Sequence, residues 1–486
     1  MATESQSVTQ WTQQPKKSKP RWTPHGYQKK AIKFLIERHA AALFLSPGLG
    51  KTSITYASFK LLKGKGLSKG MLVVAPLRPV YSVWPAEQKK WEDFEGLSVG
   101  VLHGKHKDDV LQENHDVFVI NFEGLEWLLE GKNMKILLQK VDILAIDELS
   151  KLKNTSSKRF KLFKPWLHRF NRRWGLTGSP AANSLMDVFG QAYVLDLGKA
   201  FGPYITHFRN KFFTPGGFNN YEWKLQDGGA ERIYQCLAPL ALTMQAEDYL
   251  KMPTLIPVTI YVDLPPAARK IYDEMEDELF AKIEGKEFVA SNAAGASIKC
   301  QQIANGALYH DVVDALTGLP VRGPREWQEV HTAKLDAMLD LIEELQGSPT
   351  LWAYHFGHDL ERIVGRLGKA TAHMDVAPKV GEKLVQAWNR NELATLFCQP
   401  ASVGHGLNLQ EGQAGHVAYF SPLWDRELYD QFNGRIRRQG NGMDRIFVYH
   451  IVARNTVDEA KMRALTNKGK SQQALLDALK QYRHGR

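Results

Sequence analysis

Phe44-Leu45-Ser46-Pro47-Gly48-Leu49-Gly50-Lys51-Thr52 links an apolar run, Ala40 to Leu45, to a segment with helical spacing, Thr52 to Leu62. The run reads as a buried strand, and the spacing predicts a helix. Glycines let backbone N–H groups approach phosphate oxygens, and a helix N-terminus adds the positive end of its dipole. In such a cradle Lys51 neutralises the β- and γ-phosphates and the Thr52 hydroxyl holds Mg²⁺. Pro47, Gly48, Leu49, Gly50 and Ser53 are expected to complete the nucleotide contact. The usual spacing places a further glycine where this chain has Leu45, and an ordinary strand–turn–helix connection is the alternative.

Downstream, Met71 to Pro76, Val117 to Phe122 and Val141 to Ile146 are compact apolar runs, the pattern of parallel strands buried on both faces. Leu77 to Trp91 is expected to be a loop and helix carrying Arg78, Trp84 and several lysines. The third run delivers Asp147-Glu148 at its C-terminal end, where open α/β sheets place ligand chemistry. An acidic pair there suits Mg²⁺ coordination by Asp147 and water activation by Glu148, with a helix N-cap as the plain alternative. Arg172 to Pro180 is a short strand ending in a turn, whose Thr177 and Ser179 hydroxyls are expected to reach the acidic pair. Upstream, Gln28 opens a helix about twenty residues before Lys51, and its amide offers both a donor and an acceptor to an adenine edge.

Pro253, Pro257, Pro265 and Pro266 mark an expected hinge. Beyond it a second lobe is legible. Ala333 onward is a helix ended by Gly347-Ser348-Pro349, and Thr350–Phe356, Ala394–Cys398 and His416–Phe420 read as strands. From Trp424 to Gly440 the spacing predicts a helix on which Arg435 and Arg438, three apart, share one face. The fold class is therefore α/β: two lobes with mostly parallel sheets facing across a cleft, with helical insertions between them. The boundaries fall at a basic tail 1–20, a first lobe 21–252 with an insertion from about 201, a second lobe 253–465 with an insertion to about 330, and a basic C-terminal helix or tail 466–486.

Taken in order, Gly48-Leu49-Gly50-Lys51-Thr52, Asp147-Glu148, Leu152-Lys153-Asn154 and Leu176-Thr177-Gly178-Ser179-Pro180 resemble superfamily 2 helicase-fold ATPases. Within them they resemble the SWI/SNF-related branch of DNA translocases, and the resemblance covers roughly residues 21 to 465. It implies two RecA-like lobes, ATP and Mg²⁺ as cofactors, and duplex or branched DNA as partner. Gln431…Gly434-Arg435…Arg438-Gln439-Gly440 is similar to the last motif of the branch, which implies that Arg435 and Arg438 stabilise the γ-phosphate, Arg438 as the finger. Contacts to DNA, or coupling between DNA and nucleotide, are implied for Arg78, Asn154, Thr177, Ser179, Gly404 and Asn408. Three departures stand out. Ser46-Pro47 replaces an acidic residue and a methionine, Leu149-Ser150 replaces Ala-His, and Arg437 replaces a His or Tyr.

Composition bounds these expectations. At 486 residues the chain exceeds what one core usually supports. A net charge of +11 fits a polyanionic partner, with a solvated basic surface as the alternative. Three cysteines in no paired spacing exclude a disulfide framework and a Cys-based zinc site, and point to a reducing compartment. No apolar stretch suits secretion or membrane spanning, so a cytoplasmic motor, working as a monomer in a bacterium or phage-infected cell, is expected. A strand-separating helicase, and an ATP-gated clamp with little turnover, are the competing functions.

Overall fold

The computed structural model describes residues 19–181, 183–216, 222–284, 290–310, 326–403 and 407–484. β1 (Ala40–Leu45), β2 (Met71–Ala75), β3 (Val99–Val101), β4 (Val117–Asn121), β5 (Ile143–Asp147) and β6 (Arg172–Thr177) belong to the first lobe. A hairpin, β7 (Phe213–Gly216) and β8 (Glu222–Leu225), lies between helices Ile205–Phe212 and Gly229–Leu237. The chain then returns through β9 (Ala241–Met244) to pair with β1. The sheet runs β3-β4-β2-β5-β6-β1-β9, with every pairing parallel.

The apolar runs explain this sheet. Side chains alternate across a strand, so Leu72, Val74, Leu144 and Ile146 pack into one core. Met71, Val73, Ile143 and Ala145 pack into the other. Both faces are covered, as an all-parallel sheet requires.

The second lobe opens with β10 (Thr254–Val262). Helices Pro266–Glu284 and Ala290–Asn305 and the hairpin of β11 (Ala307–Tyr309) and β12 (Trp327–Glu329) follow as an insertion. Helix Ala333–Glu344 leads to β13 (Thr350–Ala353), β14 (Thr395–Cys398), β15 (His416–Tyr419) and β16 (Arg445–Ala453), in the parallel order β10-β16-β15-β13-β14.

Two expectations need correction. Pro257 is not at a hinge: it sits inside β10, opposite Val448, so the crossing between lobes is over by Thr254. The edge position of β10 explains why a proline is tolerated there. The boundary at 466 also moves, although the basic C-terminal stretch is helical, one of the two forms expected for it. It continues a helix that starts at Val457, runs to His484, and touches helix Gly229–Leu237 and β9 of the first lobe.

Candidate active site

β1 ends at Leu45, and the chain turns through Gly48 (φ +90°) and Gly50 (φ +78°) into helix Lys51–Gly64. Left-handed backbone favours glycine, and at Gly50 space adds its own demand: a Cβ would meet Gln28 Nε2 at 2.7 Å. The Lys51 ammonium donates to Leu45 O at 2.8 Å. Burial pushes its pKa down, and the charges of Glu148 and Asp147 oppose that.

β5 delivers the acidic pair. Asp147 is its last residue, and its Oδ2 accepts from Trp84 Nε1 at 3.0 Å. Glu148 follows in the left-handed region (φ +62°), rare for a residue with a side chain, and the chain tightens into a 3₁₀ turn over Leu149–Leu152. Burial raises the Asp147 pKa. Burial, then the neighbouring Asp147 charge, pushes Glu148 up to about 7.

The second lobe contributes the arginines, though not from a helical face. Helix Arg426–Asn433, capped by Asp425, ends before them, and Gly434 to Gly440 is a run of turns. In place of helical spacing, bonds fix the side chains. Arg435 donates through Nε to Gln431 O (3.2 Å) and through Nη1 to Leu407 O (3.0 Å). Arg438 Nη1 donates to Asn408 Oδ1 at 3.0 Å. Burial lowers both guanidinium pKa values, to about 9 for Arg435, where the Arg438 charge adds, and to about 10 for Arg438.

One cavity of about 750 Å³ brings these groups together. Gly48, Gly50, Lys51, Thr52, Ser53, Asp147 and Glu148 line it from one side, and Gln431, Arg435 and Arg438 from the other. Gln28 and Pro47 also line it, whereas Leu49 is fully buried beneath the loop. Gln28 serves its own helix start: Oε1 accepts from His25 N at 2.9 Å and Nε2 donates to Leu49 O at 3.3 Å, which ties the helix to the loop.

The residues with implied DNA or coupling roles scatter. Asn408 borders the cavity. Arg78 is half-buried with its guanidinium charge felt at Arg435. Asn154 is exposed and closes a local turn by accepting from Ser156 N and Oγ. Thr177 is buried, and its hydroxyl accepts from Ser179 N at 3.2 Å, so this turn bonds within itself. Ser179 borders a smaller cavity of about 190 Å³ that Lys51 and Glu148 also line. Gly404 lies outside the described residues.

Sequence reasoning gave no role to Trp84, Ser150 or Glu427. Ser150 Oγ donates to Glu427 Oε1 at 2.6 Å across the lobes. Arg437 makes a second crossing, to Glu247 at 2.6 Å, and also donates to Pro253 O, in the connection between the lobes, at 2.9 Å. Ser150 and Arg437, from two of the three departures from the family pattern, were the available signal.

Two parallel α/β lobes, with a lysine and acidic pair on one and arginines on the other, define a helicase-type ATPase architecture. Residues 27–310 match the SNF2-related domain, and the chain belongs to that family, which implies ATP hydrolysis. Protein p41 of Acyrthosiphon pisum secondary endosymbiont phage 1 is 34% identical over 94% of this chain and 99% of its own length. A DNA annealing helicase and endonuclease of Mus musculus is 23% identical over 98% of this chain and 43% of its own, so this chain spans less than half of that relative. The SWI2/SNF2 ATPase core of Sulfolobus solfataricus, solved in complex with dsDNA, aligns over 96% of each chain with 20% identity and a TM-score of 0.43.

Proposed function

We propose that this chain is a DNA-dependent ATPase that uses hydrolysis to move along duplex or branched DNA as a monomer in the cytoplasm. The observation that carries the reading is the shared cavity, of nucleotide size, with Lys51 and the acidic pair facing Arg435 and Arg438. The net charge of +11 favours a polyanionic track. Family membership makes ATP the nucleotide.

Thr52 and Asp147 line that cavity with a hydroxyl and a carboxylate, a hard-oxygen set that fits Mg²⁺ alongside nucleotide phosphates. Bound there, Mg²⁺ would neutralise charge on the phosphates. The chain's own residues divide the remaining work. Lys51 and the loop N–H groups hold the β- and γ-phosphates, and Glu148 orients the attacking water. Arg435 and Arg438 stabilise charge on the transferring group, which ties hydrolysis to lobe closure. Repeated closure and opening along a phosphate backbone gives sequence-independent, salt-sensitive movement.

Steady-state ATP hydrolysis without nucleic acid, and with single-stranded DNA, duplex DNA and RNA, tests this. Duplex or branched DNA is expected to stimulate turnover most, and Lys51→Ala and Glu148→Gln to lower it about 10²-fold or more. Preference for single strands or RNA would replace the translocase with a strand-separating helicase. DNA binding that depends on ATP without turnover would leave the clamp.

A further inference from the structure

A line of hydrogen-bonded residues runs from the turn that follows the acidic pair of one lobe to an arginine of the other. It starts in the turn Leu149–Leu152, directly after Glu148, which Lys151 N closes by donating to Glu148 O at 3.0 Å. Ser150 Oγ donates from that turn to Glu427 Oε1 at 2.6 Å. Gln431 Nε2 donates to the same oxygen at 3.2 Å, and Gln431 O accepts from Arg435 Nε at 3.2 Å. Glu427, Gln431 and Arg435 are spaced by four, so the line follows one side of helix Arg426–Asn433 and leaves it at its end. The Asp425 cap holds the other end, accepting from Glu427 N and Leu428 N.

Ser150 and Glu427 are 2% and 7% exposed, so water does not dilute their bond. Removing the shorter of the two bonds to a buried carboxylate leaves its desolvation less well offset, which makes the hydroxyl at position 150 consequential for so small a group. Burial raises the Glu427 pKa, and the Ser150 bond and the charges of Lys153 and Lys151 oppose that. The first lobe thus supplies the shorter bond to a carboxylate whose helix belongs to the second.

We propose that Ser150 and Glu427 are positioning residues of the ATPase: their bond across the lobes sets where Arg435 stands relative to Glu148. The inference rests on the motor reading of the cleft. Neither residue reaches the reacting atoms. Ser150 acts through Glu427 and Gln431 on Arg435, so that the water-orienting carboxylate and the charge-stabilising guanidinium arrive together only when the lobes are in register.

A double-mutant cycle separates this role from simple packing. Ser150→Ala is expected to lower kcat about 10-fold while MgADP affinity, a first-lobe property, stays within about twofold. Ser150→Thr keeps the hydroxyl and should retain most of kcat. In an Arg435→Ala background, Ser150→Ala should have no further effect, because the line then has no end group. The same fold loss in both backgrounds, or an unchanged kcat in the single variant, would overturn the proposal. A second readout covers a protein without turnover. Energy transfer between dyes at the exposed positions of Lys65→Cys and Lys379→Cys, in a Cys236→Ser background, reports lobe closure on adding a non-hydrolysable ATP analogue. Closure lost in Ser150→Ala supports the bridge even if hydrolysis, and with it the motor reading, fails. Closure identical to wild type in that case sinks the bridge.

Discussion

The two sides of the cleft are built on different principles. On the first lobe, Lys51, Thr52, Asp147 and Glu148 sit at the ends of buried parallel strands, and their own sheet holds them. On the second, Arg435 and Arg438 stand on turns beyond a short helix. Part of what holds that segment comes from the opposite lobe, through Ser150 to Glu427 and through Glu247 to Arg437. The first side is organised to bind, whatever the second lobe does. The second is completed only when the lobes meet, so binding and turnover should be separable by mutation.

The largest separation is expected at Arg438→Ala. It should lower kcat by about 10²-fold with MgADP affinity within about threefold, measured by steady-state kinetics and a fluorescent ADP. Equal losses in both would erase the distinction between the two sides. Arg438→Lys should not restore the rate, since an ammonium lacks the fork that bonds Asn408 and lines the cavity.

Trp84→Phe probes the binding side from outside its motifs. It keeps the ring buried and removes the N–H that holds Asp147 Oδ2. Magnesium should then strengthen ADP binding about 10-fold less than in wild type, with metal-free ADP affinity unchanged. A loss that is the same with and without magnesium would assign Trp84 to packing alone.

The smallest effect is on stability. The Glu148 pKa stands at about 7 against an ordinary 4.5, so the native state binds this proton more tightly than the unfolded chain does. That contribution is present below pH 4.5 and is lost as pH rises through 7. Glu148→Gln should therefore be more stable than wild type at pH 8, by on the order of 1–2 kcal/mol, and closely matched near pH 4.5. Chemical denaturation at both values checks the sign. A variant equally stabilised at both would place the effect in packing or backbone.

What could be read from sequence follows the same division. The phosphate loop and the runs ending at Ala75 and Asp147 were legible because a strand buried on both faces needs an unbroken apolar run, and chemistry at its end is local. β9 was not, since Ala241-Leu242-Thr243-Met244 is too short to carry a period and pairs with a strand about two hundred residues earlier. Arg435 and Arg438 keep helical spacing in the sequence, yet the helix has already ended at Asn433. The spacing of two charges says nothing about where backbone bonding stops. Bonds such as Ser150 to Glu427 join residues 277 apart and leave no local pattern.

Pro257 has a further consequence, for how the molecule behaves in company. Parallel sheets that end in open edges invite other chains to add strands. Among the described residues, three of the four outer edges of the two parallel sheets offer little purchase. β3 has three residues and β9 four, and His373 bridges the outer side of β14 at Phe397. β10 is nine residues long and would be the natural template. Its exposed Pro257 has no N–H to donate, which interrupts the row of donors midway. The residue that reads as a joint in the sequence thus acts as a guard against aggregation, at the one edge long enough to need it.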